Sequence, residues 1–171
     1  MNTRFASLAI SSASRRMPSD LKTSVIQAAR RPEIRAAVED LYAVVQREID
    51  ARKPLCVISG KCCRFEEYGH RLFVTTIELA AFIHFVSVMP GGWDGLGCPF
   101  QKNKLCSVHQ VRPFGCRMFF CDPTSSEWQN GQYERFHADL KRLHESLDVP
   151  YFYVEWRQAL RECLWVKEDN L

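Results

Sequence analysis

The sequence contains no run of five or six charges of the same sign, and its formal net charge of +3 is small. Proteins that bind nucleic acid through a basic tail or patch usually concentrate positive charge in one part of the chain. The sequence therefore gives no reason to expect a nucleic-acid partner.

Long hydrophobic runs are also missing. The longest apolar stretch, LAAFIHFVSVM at 79–89, is shorter than the ~20 residues that a membrane-spanning helix needs. Near the N-terminus, the apolar patch Phe5–Ile10 is too small for a secretory signal peptide. The arginines and serines around it loosely fit an organellar transit peptide, but a flexible tail over residues 1–18 is the favoured interpretation. We therefore expect no membrane association and a cytoplasmic location.

Three common catalytic motifs are absent as well. The chain has no Gly-rich nucleotide-binding loop, no serine-hydrolase elbow and no HExxH helix. The sequence leaves open whether the protein is an enzyme, and any catalysis would have to come from another kind of site.

Cysteine is the residue type that is present in excess. The chain has eight cysteines and only five histidines. In a reducing cytosol, clustered cysteines bind metal more often than they form disulfides. A secreted, disulfide-stapled protein is the alternative, and it would require a signal sequence. We predict that the seven cysteines within residues 56–121 are metal ligands: Cys56, Cys62, Cys63, Cys98, Cys106, Cys116 and Cys121.

The stretch CVISGKCC, residues 56–63, contains two adjacent cysteines. Consecutive Cα atoms are about 3.8 Å apart, whereas disulfides usually join Cα atoms about 4.4 to 6.8 Å apart. Cys62 and Cys63 could therefore pair with each other only under strain. Either both reach one metal site at a tight bend after Gly60, or one binds metal while the other packs inward.

The spacing of the cysteines matches neither a standard zinc finger nor the usual ferredoxin patterns. Sulfur ligands favour zinc, iron–sulfur clusters or Cu(I). Because more than four thiols are available and histidine is scarce, an iron–sulfur cluster of the 4Fe-4S type is favoured over zinc. The extra thiols would then be spare redox groups or would form a second metal site.

Positive charge accompanies the cysteines. Residues 52–121 contain nine Lys or Arg against four acids, a net charge of +5. Four thiolates around a dication carry a net charge of about −2, which nearby cations offset while lowering the thiol pKa values. Lys61, Arg64 and Arg117 are direct neighbours of cysteines, which favours this interpretation over an ordinary solvated basic loop.

The combined motifs resemble those of the YkgJ-type cysteine cluster proteins, a bacterial family described as zinc- or iron-chelating. Its signature begins CxxCxxCC, and Cys56, Cys62 and Cys63 fall on the first, third and fourth cysteines. CPF from residue 98, CSVH from residue 106 and RPFGCR at 112–117 match the later elements. The resemblance covers about residues 55–121. It implies metal chelation and, by analogy, an oxidoreductase-like role, without naming a substrate.

One signature position departs from the family pattern. Ser59 stands where the second signature cysteine is expected, while Cys121 adds a thiol after the RPFGCR element. We hypothesise that Cys121 takes the coordinating place that Ser59 cannot fill.

The segments before and after the cysteines show helical periodicity. Apolar residues recur at steps of three and four from Pro32 until Pro54 ends the helix. Thr75 and Glu78 form a capping box for a helix over 76–88, and RLFVTT before it suits a short strand. Two further apolar stripes, from Tyr133 and from Tyr153, predict helices on either side of Pro150.

These patterns predict a mainly α fold in which helices pack around an irregular cysteine-rich metal-binding centre, with at most a short strand or two. The predicted parts are a tail at 1–18, a helical segment at 19–54, the cysteine region at 55–123 and a helical segment at 124–171. Together they form one compact domain.

The sequence therefore predicts a metal-binding protein with a Cys-ligated, iron–sulfur centre that supports a redox or protein-modification step. The alternative is a structural zinc-binding adaptor that mediates protein–protein interaction. In both cases we expect a protein partner or substrate whose identity the sequence does not reveal.

Overall fold

The protein is mainly helical in the computed structural model, which describes residues 20–166. The predicted tail at 1–18 lies outside the described residues, as do the last five residues, 167–171, of the predicted C-terminal segment. The α-helices in the described part are α1 (Leu21–Ala29), α2 (Pro32–Arg52), α3 (Phe65–Tyr68), α4 (Thr76–Phe85), α5 (Phe114–Arg117), α6 (Ser126–Ser146) and α7 (Trp156–Cys163).

Six short strands pair in twos. They are β1 (Phe73–Thr75), β2 (Val88–Met89), β3 (Gln101–Lys102), β4 (Leu105–Cys106), β5 (Tyr153–Glu155) and β6 (Trp165–Val166). The pairs β1–β5 and β3–β4 are antiparallel, and β2–β6 is parallel. Each sheet has two strands, so the helices form most of the core.

The first long helix begins and ends where the sequence predicts. Pro32 occupies the first turn of α2, and Lys53 ends the helix in a left-handed conformation, with φ 53°, just before Pro54. Proline suits the first helical turn because it has no N–H to leave unbonded there. The predicted apolar stripe faces the core, with Ile34 and Val45 almost fully buried.

The capping box at the start of α4 is also confirmed, since Thr75 and Glu78 make both reciprocal hydrogen bonds. The helix ends at Phe85 and not at residue 88, because Val88 and Met89 pair with β6.

The final helix is shorter than predicted at its N-terminal end. The apolar stripe places Tyr153 on a helix, but Tyr153–Glu155 forms β5 and pairs with β1. The Trp156 backbone N–H donates to the Leu72 carbonyl at 2.8 Å, and α7 starts at this residue. Long-range strand pairing therefore overrides the local helical pattern at residues 153–155.

The core lies between α1, α2, α4 and α7. Trp156 is 1 % exposed, and its ring packs edge-on against Phe82 with centroids 4.9 Å apart. Phe100, from the cysteine region, joins the same aromatic group at 5.4 Å from Phe82. The cysteine region is thus attached directly to the helical core. No helix within residues 20–166 is long and apolar enough to cross a membrane.

Candidate metal centre

Four cysteines from three separate segments meet beside the helical core. Cys62 and Cys63 lie in a 3-10 turn, Cys98 precedes β3, and Cys106 lies in β4. The Sγ atoms of Cys62 and Cys63 are 4.0 Å apart, and the Cys63 thiol also interacts with the thiols of Cys98 and Cys106. The adjacent pair therefore joins one group of thiols and does not bridge to itself. We call Cys62, Cys63, Cys98 and Cys106 the four-thiol group.

Backbone contacts hold these segments together. The Cys98 N–H donates to the Cys63 carbonyl at 2.8 Å, and the Gln101 side-chain amide donates to the Gly60 carbonyl at 2.9 Å. Gly60 has φ 68°, and a Cβ there would lie 2.4 Å from the Lys104 carbonyl oxygen. Only glycine combines this conformation with so close an approach, so Gly60 makes the bend before the cysteine pair.

The thiols in the group shift one another's pKa values. Hydrogen bonds with Cys106, Cys62 and Cys98, in that order, raise the pKa of Cys63, with burial adding to the shift. The same interaction with Cys63 lowers the pKa of Cys62 to about 7 and that of Cys106 to about 6, and it also lowers the pKa of Cys98. These hydrogen bonds therefore favour the proton on Cys63 over Cys62, Cys98 and Cys106.

A fifth predicted ligand, Cys116, lies next to this group. Burial raises the pKa of the Cys116 thiol well above its usual value, and the negative charge of Cys98, Cys62 and Cys106 raises it further. Arg112 acts in the opposite direction on Cys116, and its charge also lowers the pKa of Cys62 and Cys106. The RPFGCR segment thus brings both a thiol and a cation to the site.

A buried carboxylate positions the helix that contains Cys116. Glu78 is 3 % exposed, and its Oε1 accepts from the Phe114 backbone N–H at 2.9 Å and from the Tyr42 hydroxyl at 3.0 Å. Its Oε2 accepts from the backbone N–H and the hydroxyl of Thr75 at 3.0 and 2.9 Å. Burial raises the pKa of Glu78. One side chain therefore joins α2, α4 and α5.

Arg117 also contacts Tyr42 and ties it to the chain segment before α5. Its guanidinium lies over the Tyr42 ring, 4.4 Å from the centroid, and donates to the carbonyls of Arg112 at 3.0 Å and Gln110 at 2.7 Å. The capping-box pattern in the sequence predicts the contacts of Glu78 with Thr75. The contacts to Tyr42 and Phe114 depend on residues distant in sequence and have no local signal.

His70 is another residue that the sequence does not single out. Its ring packs edge-on against Phe65 at 5.3 Å and stacks on Phe119 at 4.8 Å. Its Nε2 lies 3.4 Å from the Cys62 carbonyl oxygen. Nothing marks it in the sequence except that it follows the cysteine pair by seven residues. His70 supports the backbone at Cys62 and has no thiol partner in the described contacts.

The remaining two predicted ligands, Cys56 and Cys121, belong to a neighbouring region. The Cys121 Sγ lies 3.4 Å from the Ser59 hydroxyl oxygen, and the Leu55 N–H donates to the Asp122 carboxylate at 3.1 Å. The segment that contains Cys56 therefore runs alongside residues 121–122. Cys56 itself is exposed. Cys121 is next to the position where the family resemblance lacks a cysteine, and its role as a ligand stays a prediction.

If Cys121 completes the site in place of Ser59, the Cys121→Ser variant will bind metal about a hundredfold less tightly or worse, beyond the 10- to 100-fold loss typical for residues that only support ligands. Serine keeps the size of the side chain but replaces the soft sulfur with a poor metal ligand. Bound metal and the visible spectrum of the purified variant measure the change. Cys163→Ser, which alters a cysteine of α7 outside the predicted ligand set, is the matched control. Unchanged metal content and spectrum in Cys121→Ser would disprove the hypothesis.

Within residues 20–166, no three Cys, His, Asp or Glu side chains already form a metal-binding arrangement. The donor set nevertheless fits a metal that prefers thiolates, since all eight cysteines are free. Four sulfurs at 2.3 Å around one tetrahedral zinc are about 3.8 Å apart, close to the 4.0 Å between Cys62 and Cys63.

A buried N–H group beside the thiols also suits a thiolate site. The indole nitrogen of Trp156 is buried and has no partner at hydrogen-bond geometry. It lies close enough to Cys98 to contribute to the lowered pKa of that thiol. Hydrogen-bond donors directed at a thiolate stabilise its negative charge and tune the reduction potential of a bound cluster. Trp156 therefore links the helical core to the site chemically as well as by packing.

Comparisons with known proteins do not assign this chain to a family. No protein-family model matches it, and no curated protein or solved structure matches it either. The resemblance to the YkgJ-type cysteine cluster proteins therefore stays a prediction based on the motifs themselves.

Proposed function

We propose that the protein holds a metal centre on Cys62, Cys63, Cys98 and Cys106, with Cys116 beside them. The observation that supports this most directly is that the four-thiol group comes from three chain segments and its members interact with one another without forming a disulfide. Free thiols of this kind suit a reducing cytoplasm, where we propose that the protein works. The YkgJ-type motifs point to the same chemistry.

Among metals, we propose an iron–sulfur cluster first. The donors at the site are sulfurs, and Cys116, Cys56 and Cys121 supply more thiols than one mononuclear ion needs. Such a cluster would supply one-electron transfer when bound, which supports a redox or protein-modification step. The chain's own contribution is to hold the thiols, to shield Cys63 fully and Cys98 partly from water, and to offset negative charge with Arg112.

Structural zinc is the second candidate, and the 4.0 Å separation of the Cys62 and Cys63 sulfurs favours it. In this case the centre would stabilise an adaptor that binds protein partners. Zinc contributes about 10–16 kcal/mol in small structural sites, so its removal would unfold the cysteine region while the helical core around Trp156 keeps much of its packing.

Purification without oxygen, followed by analysis of iron, acid-labile sulfide, zinc and visible absorption, distinguishes the two candidates. Brown protein with labile sulfide is the expected result for the iron–sulfur centre. Colourless protein with one equivalent of zinc supports the structural site. Protein without metal and without free thiols would refute both and would favour a disulfide-bonded protein.

A further inference from the structure

Exposed apolar side chains are concentrated around the four-thiol group. The five most exposed large apolar side chains in the described part of the chain are Ile58 at 70 %, Leu55 and Leu96 at 62 %, Val57 at 58 % and Leu105 at 56 %. Three of them precede the cysteine pair, and Leu105 adjoins Cys106. Leu96 adjoins Gly97, where a Cβ would lie 2.7 Å from the Cys63 carbonyl oxygen.

The two main segments of this surface adjoin each other. Gly60, two residues after Ile58, packs against the Lys104 carbonyl and accepts a hydrogen bond from Gln101. In the β3–β4 hairpin Leu105 is opposite Lys102, and side chains at opposite positions project from the same face. We call Leu55, Val57, Ile58 and Leu105 the thiol-side patch. Patches of this kind mark interaction sites when polar residues surround them.

The backbone of the patch is held in an unusual conformation. Ile58 has φ 50°, which is rare for a β-branched residue. The contact of Leu55 with Asp122 lies on one side of Ile58, and on the other the Arg64 guanidinium donates to the Ser59 carbonyl at 3.1 Å. Strained residues held in this way concentrate at functional sites. The fold therefore exposes these side chains and does not bury them.

Positive charge predominates around the patch, and the Asp122 carboxylate that accepts from the Leu55 N–H is an acid in contact with it. Residues 51–65 and 95–121 contain no Asp or Glu. Within them, Arg52, Lys53, Lys102 and Lys104 are exposed. Opposite charges on two surfaces speed association and select partners, so the surface that fits this patch is acidic with an apolar centre.

The same charge argues against a second copy of this chain as the partner. A symmetric dimer through the patch would bring the same basic surface of two copies together, and like charges at an interface are unfavourable. A membrane is also disfavoured. Trp and Tyr, which usually anchor proteins at the lipid interface, are absent from the patch, and its segments are not an amphipathic helix.

We propose that the thiol-side patch is the docking surface for an acidic protein partner that works with the neighbouring metal centre. The reason for docking here rests on the proposed function, because a partner on this patch would lie beside the metal centre. Cys106 follows Leu105 in β4, and Cys62 follows Ile58 by four residues. Small, partly apolar interfaces surrounded by charge are typical of transient redox and signalling complexes. The partner would therefore bind weakly and with strong dependence on salt.

Site-specific photo-crosslinking in the native cell tests the proposal. p-Benzoylphenylalanine is placed at Ile58 and, because that position is strained, separately at Leu105. The control position is Phe85 at the end of α4, which is 54 % exposed and outside the patch. We expect one acidic protein to be crosslinked from both patch positions and not from Phe85.

The crosslinked protein is then purified and its affinity for this chain is measured. We expect the double variant Lys102→Glu/Lys104→Glu to bind it about tenfold or more weakly at low salt. The control Lys141→Glu/Arg142→Glu makes the same charge change on exposed positions of α6 and should bind like the wild type. Equal affinity of the Lys102→Glu/Lys104→Glu variant would overturn the proposal.

Other outcomes would also overturn it. In the crosslinking experiment these are a homodimer, a link to this chain's own residues 1–19, or no protein adduct. In a separate sedimentation assay with phosphatidylglycerol vesicles, binding to the vesicles without any protein partner would overturn it as well. Metal analysis of each variant separates this proposal from the proposed function. If the protein lacks metal but the partner docks through the lysines, only the metal centre is wrong. If metal is present and the partner ignores the lysines, only the docking surface is wrong.

Discussion

The Cys63→Ser variant is expected to lose its bound metal, with affinity falling by about a hundredfold or more, beyond the 10- to 100-fold typical for residues that only support ligands. Cys63 is 4 % exposed and is the one thiol that interacts with all three others of the four-thiol group. Its carbonyl also accepts from the Cys98 N–H. Serine leaves this backbone contact intact, so the loss would reflect the missing sulfur and not a misplaced segment.

Metal content, acid-labile sulfide and visible absorption measured on anaerobically purified protein check this expectation. Cys163→Ser is the matched control and should keep the metal. Circular dichroism shows whether the helices remain in both variants. Retention of the full metal content by folded Cys63→Ser would remove Cys63 from the ligand set and contradict the centre as proposed.

The Glu78→Ala variant is expected to lower the free energy of unfolding by about 3 kcal/mol or more. The substitution leaves the Tyr42 hydroxyl and both the N–H and the hydroxyl of Thr75 without their acceptor in a buried place. The Phe114 N–H keeps only its 3.1 Å hydrogen bond to the Tyr42 hydroxyl oxygen. Each unsatisfied buried group costs about 1–3 kcal/mol. Water that enters the space left by the Glu78 side chain would bond to some of these groups and reduce the total cost. Because α5 contains Cys116, metal affinity should fall as well.

Urea denaturation of the wild type and the variants measures the loss. Tyr42→Phe removes a single hydroxyl from the same network and should cost about 1 kcal/mol. Glu127→Ala, on the exposed first turn of α6, removes a carboxylate from a solvated position and should change stability by less than about 0.5 kcal/mol. If Glu78→Ala were no less stable than Glu127→Ala, the buried network would not hold α5 in place.

Local patterns predict the helices well where a terminal signal accompanies the apolar stripe. Pro32 and the Thr75–Glu78 capping box mark helix starts that the structure confirms. The stripe from Tyr153 is misleading because Tyr153–Glu155 pairs with β1, about eighty residues earlier in the chain. A strand pair between such distant segments leaves no periodic signal in either one.

The sequence by itself determined which donor groups the chain can offer: seven cysteines in 66 residues, basic neighbours and little histidine. The sequence could not show which of the seven cysteines lie close together, because cysteines in irregular segments have no periodicity that relates one to another. The tertiary structure decided that Cys62, Cys63, Cys98 and Cys106 meet, through the Gly60 bend and the Cys63–Cys98 backbone contact. It also placed Cys121 beside Ser59. Such groupings depend on contacts between distant segments, which exist only once the helical core has formed.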